Sequence, residues 1–335
     1  MLDRGVVLLA DRLYCKEKDF DLNSNKLEQI SDDYFSDIFN ALRNIAPRIV
    51  HYNSPAELID NAHKHKKDIV FTVYGGHSSR NRLALVPAIC EAYGIKYVGA
   101  DAYNRIICQD KNVSKELAKR KGLKVPNAIL GSCLEDFAAI ESLIFPVVVK
   151  PLMEGSSIGI SKKSLCSNIH EATLLALDVL NKYQQPVLVE EFISGHEIVV
   201  CCIGNSKEIK LCEAVEVYNP QDENYFHHCL YTNDIKHSNT VETKHRIITE
   251  KLPEFTMRRL EAIFTSFGKM DFMRIDGRVY KNDFIFIEFT PDAYIGGHSS
   301  FADVYRAKGL TYERVLQDII ETASIDSQIQ FPIQR

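Results

Sequence analysis

One lysine stands at the end of an apolar, β-branched run and directly before a loop of small residues: Phe145-Pro-Val-Val-Val-Lys150-Pro-Leu-Met-Glu154-Gly155-Ser156-Ser157-Ile-Gly159-Ile. Such a strand would carry the ammonium to a phosphate, while Gly155, Ser156 and Ser157 would offer backbone N–H groups from a turn that glycine lets come close. The order differs from a P-loop, in which the lysine follows the glycines and opens a helix. Strand, phosphate-covering loop, strand is the expected local structure, with a hairpin and an incidental lysine as the plainer alternative. Downstream, Val187-Leu-Val-Glu190-Glu191-Phe192-Ile193-Ser194-Gly195-His196-Glu197 reads as strand, hinge and strand carrying three carboxylates. Asp271 and Glu288 lie in two apolar runs around Asp276-Gly277, a dipeptide favoured in hairpin turns. Paired strands would aim both acids at one place, which suits Mg²⁺ with waters and phosphate oxygens as its remaining ligands. Two solvated acids on a sheet face are the other reading.

With these motifs in this order, the chain resembles the ATP-grasp superfamily and, within it, the D-alanine–D-alanine ligases. The resemblance runs from about Ile69 to the last helix near Ala323. It also takes in Gly94-Ile-Lys-Tyr-Val-Gly99, Asp110-Lys111-Asn-Val-Ser-Lys115 and Gly297-His298-Ser299. It implies an α/β protein in which an N-terminal parallel-sheet domain (1–103) precedes two α+β subdomains (104–186 and 187–335) that clasp a nucleotide. The implied activity is ADP-forming carboxylate–amine ligation: ATP activates an acid as an acyl phosphate, and an amine attacks it. Residue by residue, Lys111 and Lys150 match the phosphate-contacting lysines, and Glu154, Gly155, Ser156 and Ser157 the lid over the phosphates, with Ser156 also facing the acid. Glu190, with the backbones of Glu191 and Ile193, matches the adenine-reading hinge, and Glu197 the ribose acid. Asp271 and Glu288 match metal ligands. The implied cofactors are ATP and Mg²⁺, two ions being expected and Mn²⁺ a substitute. The implied partners are a small acid and a small amine, with a homodimer as the family's common assembly.

The departures from the family bear on chemistry. Its third metal ligand, an asparagine, is Thr290 here, and its oxyanion-stabilising arginine is Lys269, which supplies charge without the planar fork. The amine-capturing glutamate after the first strand has no match in Asp11-Arg12-Leu13-Tyr14-Cys15-Lys16-Glu17-Lys18. A histidine- and acid-bearing segment becomes Tyr74-Gly75-Gly76-His77-Ser78-Ser79-Arg80-Asn81, which makes Tyr74 and Arg80 candidate substrate residues. His298 and Ser299 are kept, in a segment that holds the second substrate's carboxylate in the family. For the lid's lysine–tyrosine pair the nearest candidates are Tyr225, Tyr231 and Lys236, with Tyr231 the catalytic choice. The expected function is a ligase with an altered first-substrate pocket. A true D-alanine–D-alanine ligase and an ATP-binding protein without ligase chemistry are the alternatives.

The elements that must position these groups are readable in outline. Strands at Val6–Ala10, 48–52 and 68–74 alternate with helices at 31–43, 55–64 and 83–93, which argues for a parallel sheet covered on both faces. A helix over 112–121 closes at Gly122. The polar, aperiodic stretch 218–239 has the length of a lid. With 335 residues, 45% hydrophobic and 25% charged, the chain has ample core, and a net charge of −5 gives no attraction to nucleic acid or anionic membrane. No apolar run nears the roughly 20 residues of a membrane span. Nine scattered cysteines without a Cys-x-x-Cys pair, and no signal-peptide pattern, point to a reduced cytoplasm.

Overall fold

The computed structural model describes residues 1–12, 29–76, 79–237 and 241–325. Strands β1 (Val6–Leu9), β2 (Ile49–Tyr52), β3 (Ile69–Thr72) and β4 (Lys96–Tyr97) form a parallel sheet in the order β2-β1-β3-β4. Their period-2 side chains cover both faces, because Val6 and Leu8 enter one core while Val7 and Leu9 enter another. Helix α1 (Asp32–Ile45), capped by the Ser31 hydroxyl, packs on the first face. Helices α2 (Pro55–Asn61) and α3 (Leu85–Tyr93) cover the other, and α3 stops at Gly94 with φ 63°.

Helices α4 (Ala102–Gln109) and α5 (Lys111–Arg120) lead to an antiparallel sheet of β5 (Ala128–Gly131), β6 (Val147–Pro151), β7 (Leu165–Cys166) and β8 (Val187–Glu191), in the order β5-β8-β6-β7. Val147, Val149, Val187 and Val189 pack with Ala172, Ala176 and Val179 of α6 (Ile169–Tyr183) in a core of their own. By alternation, Lys150 and Glu190 belong to the opposite face. The expected strand after the Lys150 loop does not form at Ser157–Ile160. Ser156 (φ 51°) and Ser157 (φ 60°) turn left-handed there, and pairing with β6 resumes only at β7.

The third sheet has the order β11-β10-β9-β12-β13 and is antiparallel throughout: β9 (His196–Gly204), β10 (Ile209–Tyr218), β11 (Lys244–Ile247), β12 (Asp271–Tyr280) and β13 (Asp283–Thr290). Short helix α7 (Asn233–His237) lies in the expected lid, whose residues 238–240 are outside the described residues. Helix α8 (Glu254–Ser266) covers one face with Ile198, Val200 and Cys202. On the other face Val199, Cys201 and Ile203 join α9 (Ser300–Ala307), α10 (Tyr312–Ile325), α1 and β1 in a single cluster. The N-terminal and C-terminal sheets therefore share a core, which the central sheet does not enter. Among the described residues no helix is long and apolar enough to cross a membrane.

Asp276-Gly277 is not the hairpin turn. It lies inside β12, and the chain reverses at Lys281-Asn282, with φ 48° and 69°. Gly277 is in the strand for another reason: a Cβ there would stand 2.4 Å from Phe284 Cζ and 2.7 Å from the Ile285 carbonyl oxygen. A bulge between Asp276 and Gly277 sets Asp276 directly opposite Glu288 and Arg274 opposite Thr290.

Candidate active site

Helix α5 joins the central and C-terminal sheets electrostatically. Asp110 caps it, accepting from the Asn112 and Val113 N–H groups at 3.0 Å, and Lys111 and Lys115, one helical turn apart, share a face. Lys115 Nζ lies 2.6 Å from Glu190 Oε2, and Lys150 Nζ lies 2.5 Å from Glu190 Oε1. All three side chains are buried. Burial alone would raise the Glu190 pKa, but the two lysines outweigh it and hold the carboxyl down to about 2. Desolvation in turn lowers Lys115 to about 8, against the pull of Glu190. Lys111 donates to the Glu154 and Leu152 carbonyls, and its Nζ is 3.7 Å from Glu288 Oε2.

Across the bulge, Asp276, Glu288 and Thr290 form an acid cluster. Thr290 Oγ1 donates to Asp276 Oδ2 at 3.4 Å, and Arg274 grips Asp276 with two N–H donors, each at 2.6 Å. Burial pushes the Glu288 pKa up, yet Lys111, Lys150, Lys236 and Arg274 together bring it below its ordinary value. Two cross-strand carboxylates with a hydroxyl beside them form an all-oxygen donor set of the kind a divalent cation takes. Asp271 does not belong to this set. It sits at the far end of β12 opposite Gly204, fully buried with φ 60°, and accepts from the Gly99 N–H at 2.8 Å while pairing with Lys269. Lys269 also donates to the Tyr97 carbonyl at 3.1 Å, so Lys269 and Asp271 fasten β12 to the N-terminal sheet and lie apart from Glu288. Asp292, after β13, is held by Arg105, and burial raises its pKa.

The expected lid reaches the loop at Ser157. Lys236 Nζ donates to Ser157 Oγ at 2.7 Å, and Ser157 Oγ donates to the Tyr231 carbonyl at 3.2 Å. Lys236 also stands 5.0 Å from the Tyr231 ring centre, and its pKa is lowered by desolvation first and then by Arg274. Of the three lid candidates, Lys236 and Tyr231 meet the loop. Tyr225 packs at the lid base against Phe226. Arg278 ties that base to the hinge: it donates to the carbonyls of Ile193 (2.9 Å), Phe226 (2.7 Å) and Cys229 (2.9 Å) and pairs with Glu197 at 2.8 Å. The Glu191 carboxylate turns outward, accepting from Asn127 and from the Ile144 N–H, each at 3.0 Å.

At the N-terminal side, Asp11 closes β1 and accepts from the Gly75 and Gly76 N–H groups at 2.8 and 2.9 Å, with Tyr74 half-buried beside them. Residues 13–18, His77 and Ser78 lie outside the described residues. Arg80 is exposed, and the buried arginine of this segment is Arg82. It reaches Glu154 Oε2 at 3.3 Å and the Met153 carbonyl at 3.4 Å. Gln185 holds the other Glu154 oxygen at 2.8 Å, which locks the carboxylate in the loop. Ser299 is buried and caps α9 by accepting from the Ala302 N–H, while His298 is exposed.

Sequence reasoning missed Arg274, Asp276, Lys115, Arg82 and Arg278. A signal for the first two was present: within the apolar run that follows Gly268, a basic residue stands two before an acid both at Lys269-Met-Asp271 and at Arg274-Ile-Asp276, and the second instance carries the guanidinium fork. The family described as "D-ala D-ala ligase C-terminus" matches residues 130–321. A D-alanine–D-alanine ligase of Ralstonia nicotianae is 25% identical over 248 residues, 72% of this chain and 71% of that protein. One from Aquifex aeolicus is 26% identical over 318 residues, 95% of this chain and 99% of its own length. The crystal structure of D-alanine–D-alanine ligase from Bacillus anthracis complexed with ATP superposes with a TM-score of 0.72 at 20% identity, covering 97% of this chain and 98% of that one. With the family match spanning more than half of its residues, the chain belongs to the D-alanine–D-alanine ligase C-terminal family and is an ATP-grasp ligase, an enzyme that forms a C–N bond at the expense of ATP.

Proposed function

We propose that the enzyme activates a small acid with Mg·ATP and joins it to a small amine, with a first-substrate pocket altered from that of the D-alanine–D-alanine ligases. The nucleotide end rests on Lys150, Lys111, the loop Glu154–Ser157, the hinge at Glu190, Glu191 and Ile193, and Glu197. Asp276, Glu288 and Thr290 would hold the divalent cation, which when bound supplies charge neutralisation to the phosphates. Arg274, two residues before Asp276, takes the oxyanion-stabilising place that Lys269 cannot reach. This removes one of the grounds for reading the chain as a nucleotide-binding protein without chemistry. Ser156 and the lid pair Tyr231 and Lys236 face the reacting acid. Ser299, with His298 beside it at the start of α9, meets the acceptor carboxylate. A homodimer and a cytoplasmic setting complete the proposal.

The altered pocket rests on one observation above all. At the end of β1, where the relatives' amine-capturing glutamate would be sought, both Asp11 oxygens accept from Gly75 and Gly76, and the buried carboxylate of Glu154 is paired with Arg82. A substrate ammonium meets no carboxylate on offer there among the described residues. The purified enzyme is accordingly expected to release little ADP with D-alanine alone and more with an acid that lacks a free α-amine or carries an added anionic group. Arg82→Ala should change that preference, and Arg80→Ala should leave it as it was. Efficient D-alanyl-D-alanine formation would favour the second reading, a D-alanine–D-alanine ligase proper, which the names of the relatives support.

A further inference from the structure

Glu190 is held by two lysines, and only one of them is needed elsewhere. In the functional reading above, on which this inference rests, Lys150 must turn to a phosphate when nucleotide binds. Glu190, buried on the face of β8 turned away from α6, would then lose the partner at its Oε1. Lys115 has no such second duty. It projects from the same face of α5 as Lys111, is buried to 4% exposure, and keeps its Nζ at the other oxygen of Glu190. We infer that Lys115 is the standing counter-ion of Glu190: a positioning residue that keeps the hinge carboxylate ionised and in place when Lys150 is drawn away by phosphate.

The two lysines are therefore not equivalent, although they flank one carboxylate at nearly the same distance. Without nucleotide, loss of Lys115 still leaves Glu190 paired with Lys150, so folding is largely spared. With nucleotide bound, the same loss strands a buried carboxylate, and the cost falls on binding. An ionised Glu190 has only acceptor oxygens and so suits a purine bearing an exocyclic amine. Stripped of its counter-ion it would take up a proton, become a donor as well, and tolerate a 6-oxo purine.

The test is direct binding of Mg·ATP and Mg·ITP to the full-length protein by calorimetry, with thermal unfolding measured alongside. Lys115→Met is expected to weaken Mg·ATP binding by about tenfold or more, to narrow the preference for ATP over ITP, and to lower Tm little without nucleotide. Lys115→Arg, which restores the charge, is expected to recover most of the preference. Unchanged affinity and preference in Lys115→Met would overturn the inference while leaving the functional reading intact. Failure of the wild type to bind Mg·ATP would overturn both. Should Lys115→Met not fold, Lys115→Met/Glu190→Gln removes the stranded charge. Binding equal to that of Glu190→Gln alone supports action through Glu190, and a further loss of tenfold overturns it.

Discussion

Arg274 holds both oxygens of Asp276, whereas Lys269 and a backbone amide hold Asp271, and this difference in partners separates two acids that look alike in the sequence. Asp276→Asn should lower turnover at saturating Mg²⁺ on the order of a hundredfold with little change in unfolding free energy. Asp271→Asn should do the reverse, costing about 3 kcal/mol because the half-buried Lys269 ammonium loses its fully buried partner, while the folded fraction retains its chemistry. Steady-state kinetics and urea unfolding on both variants check this, and the opposite ranking would return the metal to Asp271. Glu190 makes a prediction of a different kind. Its folded pKa, about 2, lies below the ordinary 4.5, so the native state keeps the carboxylate charged where the unfolded chain would protonate it. The resulting stability, roughly 3 kcal/mol, is fully present above pH 4.5 and is lost as pH falls toward 2. In denaturant titrations over that window, Lys115→Met/Glu190→Gln should show a flatter acid limb than the wild type.

The β12–β13 hairpin shows where the sequence speaks clearly and where it does not. The strands of the first sheet were legible because Val, Ile and Leu runs recur between helical periods, and α3 announced its end with Gly94. Asp276-Gly277 has the commonest local signature of a hairpin turn, but tertiary packing puts that glycine to another use, beneath Phe284 and the Ile285 carbonyl. The actual turn, Lys281-Asn282, carries no glycine and begins with a lysine at positive φ, which local rules would not choose. With the turn set five residues too early, Asp271 and Glu288 fall on the two flanking strands while Asp276, the residue opposite Glu288, is taken for part of the turn. The cluster itself depends on the bulge beside Gly277, since a hairpin without it would set Asp276 opposite Ile287 and on the wrong face from Glu288. Gly277→Ala should thus cost about 1–3 kcal/mol through overpacking. It should also weaken Mg²⁺ binding in the protein that still folds, as checked by thermal unfolding and metal titration; a loss of stability with metal affinity retained would show that the bulge does not set the acid cluster.

At the scale of the whole molecule, the first and third sheets are one body by packing and the central sheet is another. Phe35, Ile38, Leu42, Val6 and Leu8 share a cluster with Ile203, Phe272, Phe301, Ile319 and Ile320, while Val147, Val149, Val187 and Val189 pack only with their own helix and its neighbours. The central sheet is tied to the rest chiefly through α5 and buried ion pairs, which nucleotide is expected to rearrange. Amides of β6 and β8 should therefore exchange with solvent through a smaller opening than those of β1 and β9, and Mg·ATP should slow them more. Equal protection in both regions, measured by native-state hydrogen exchange, would argue against two bodies.

The shared cluster also sets an order of events for a chain made from its N-terminus. Val6, Leu8, Ile38 and Leu42 leave the ribosome well before Ile319, Ile320 and Ala323, which complete the cluster they share. At cellular rates of elongation the wait is on the order of tens of seconds. The central sheet, whose partners are close together in sequence, can close its core in the meantime. The cover that α10 gives to the first sheet is thus among the last to arrive, and the apolar surface that waits for it is what a chaperone would find exposed.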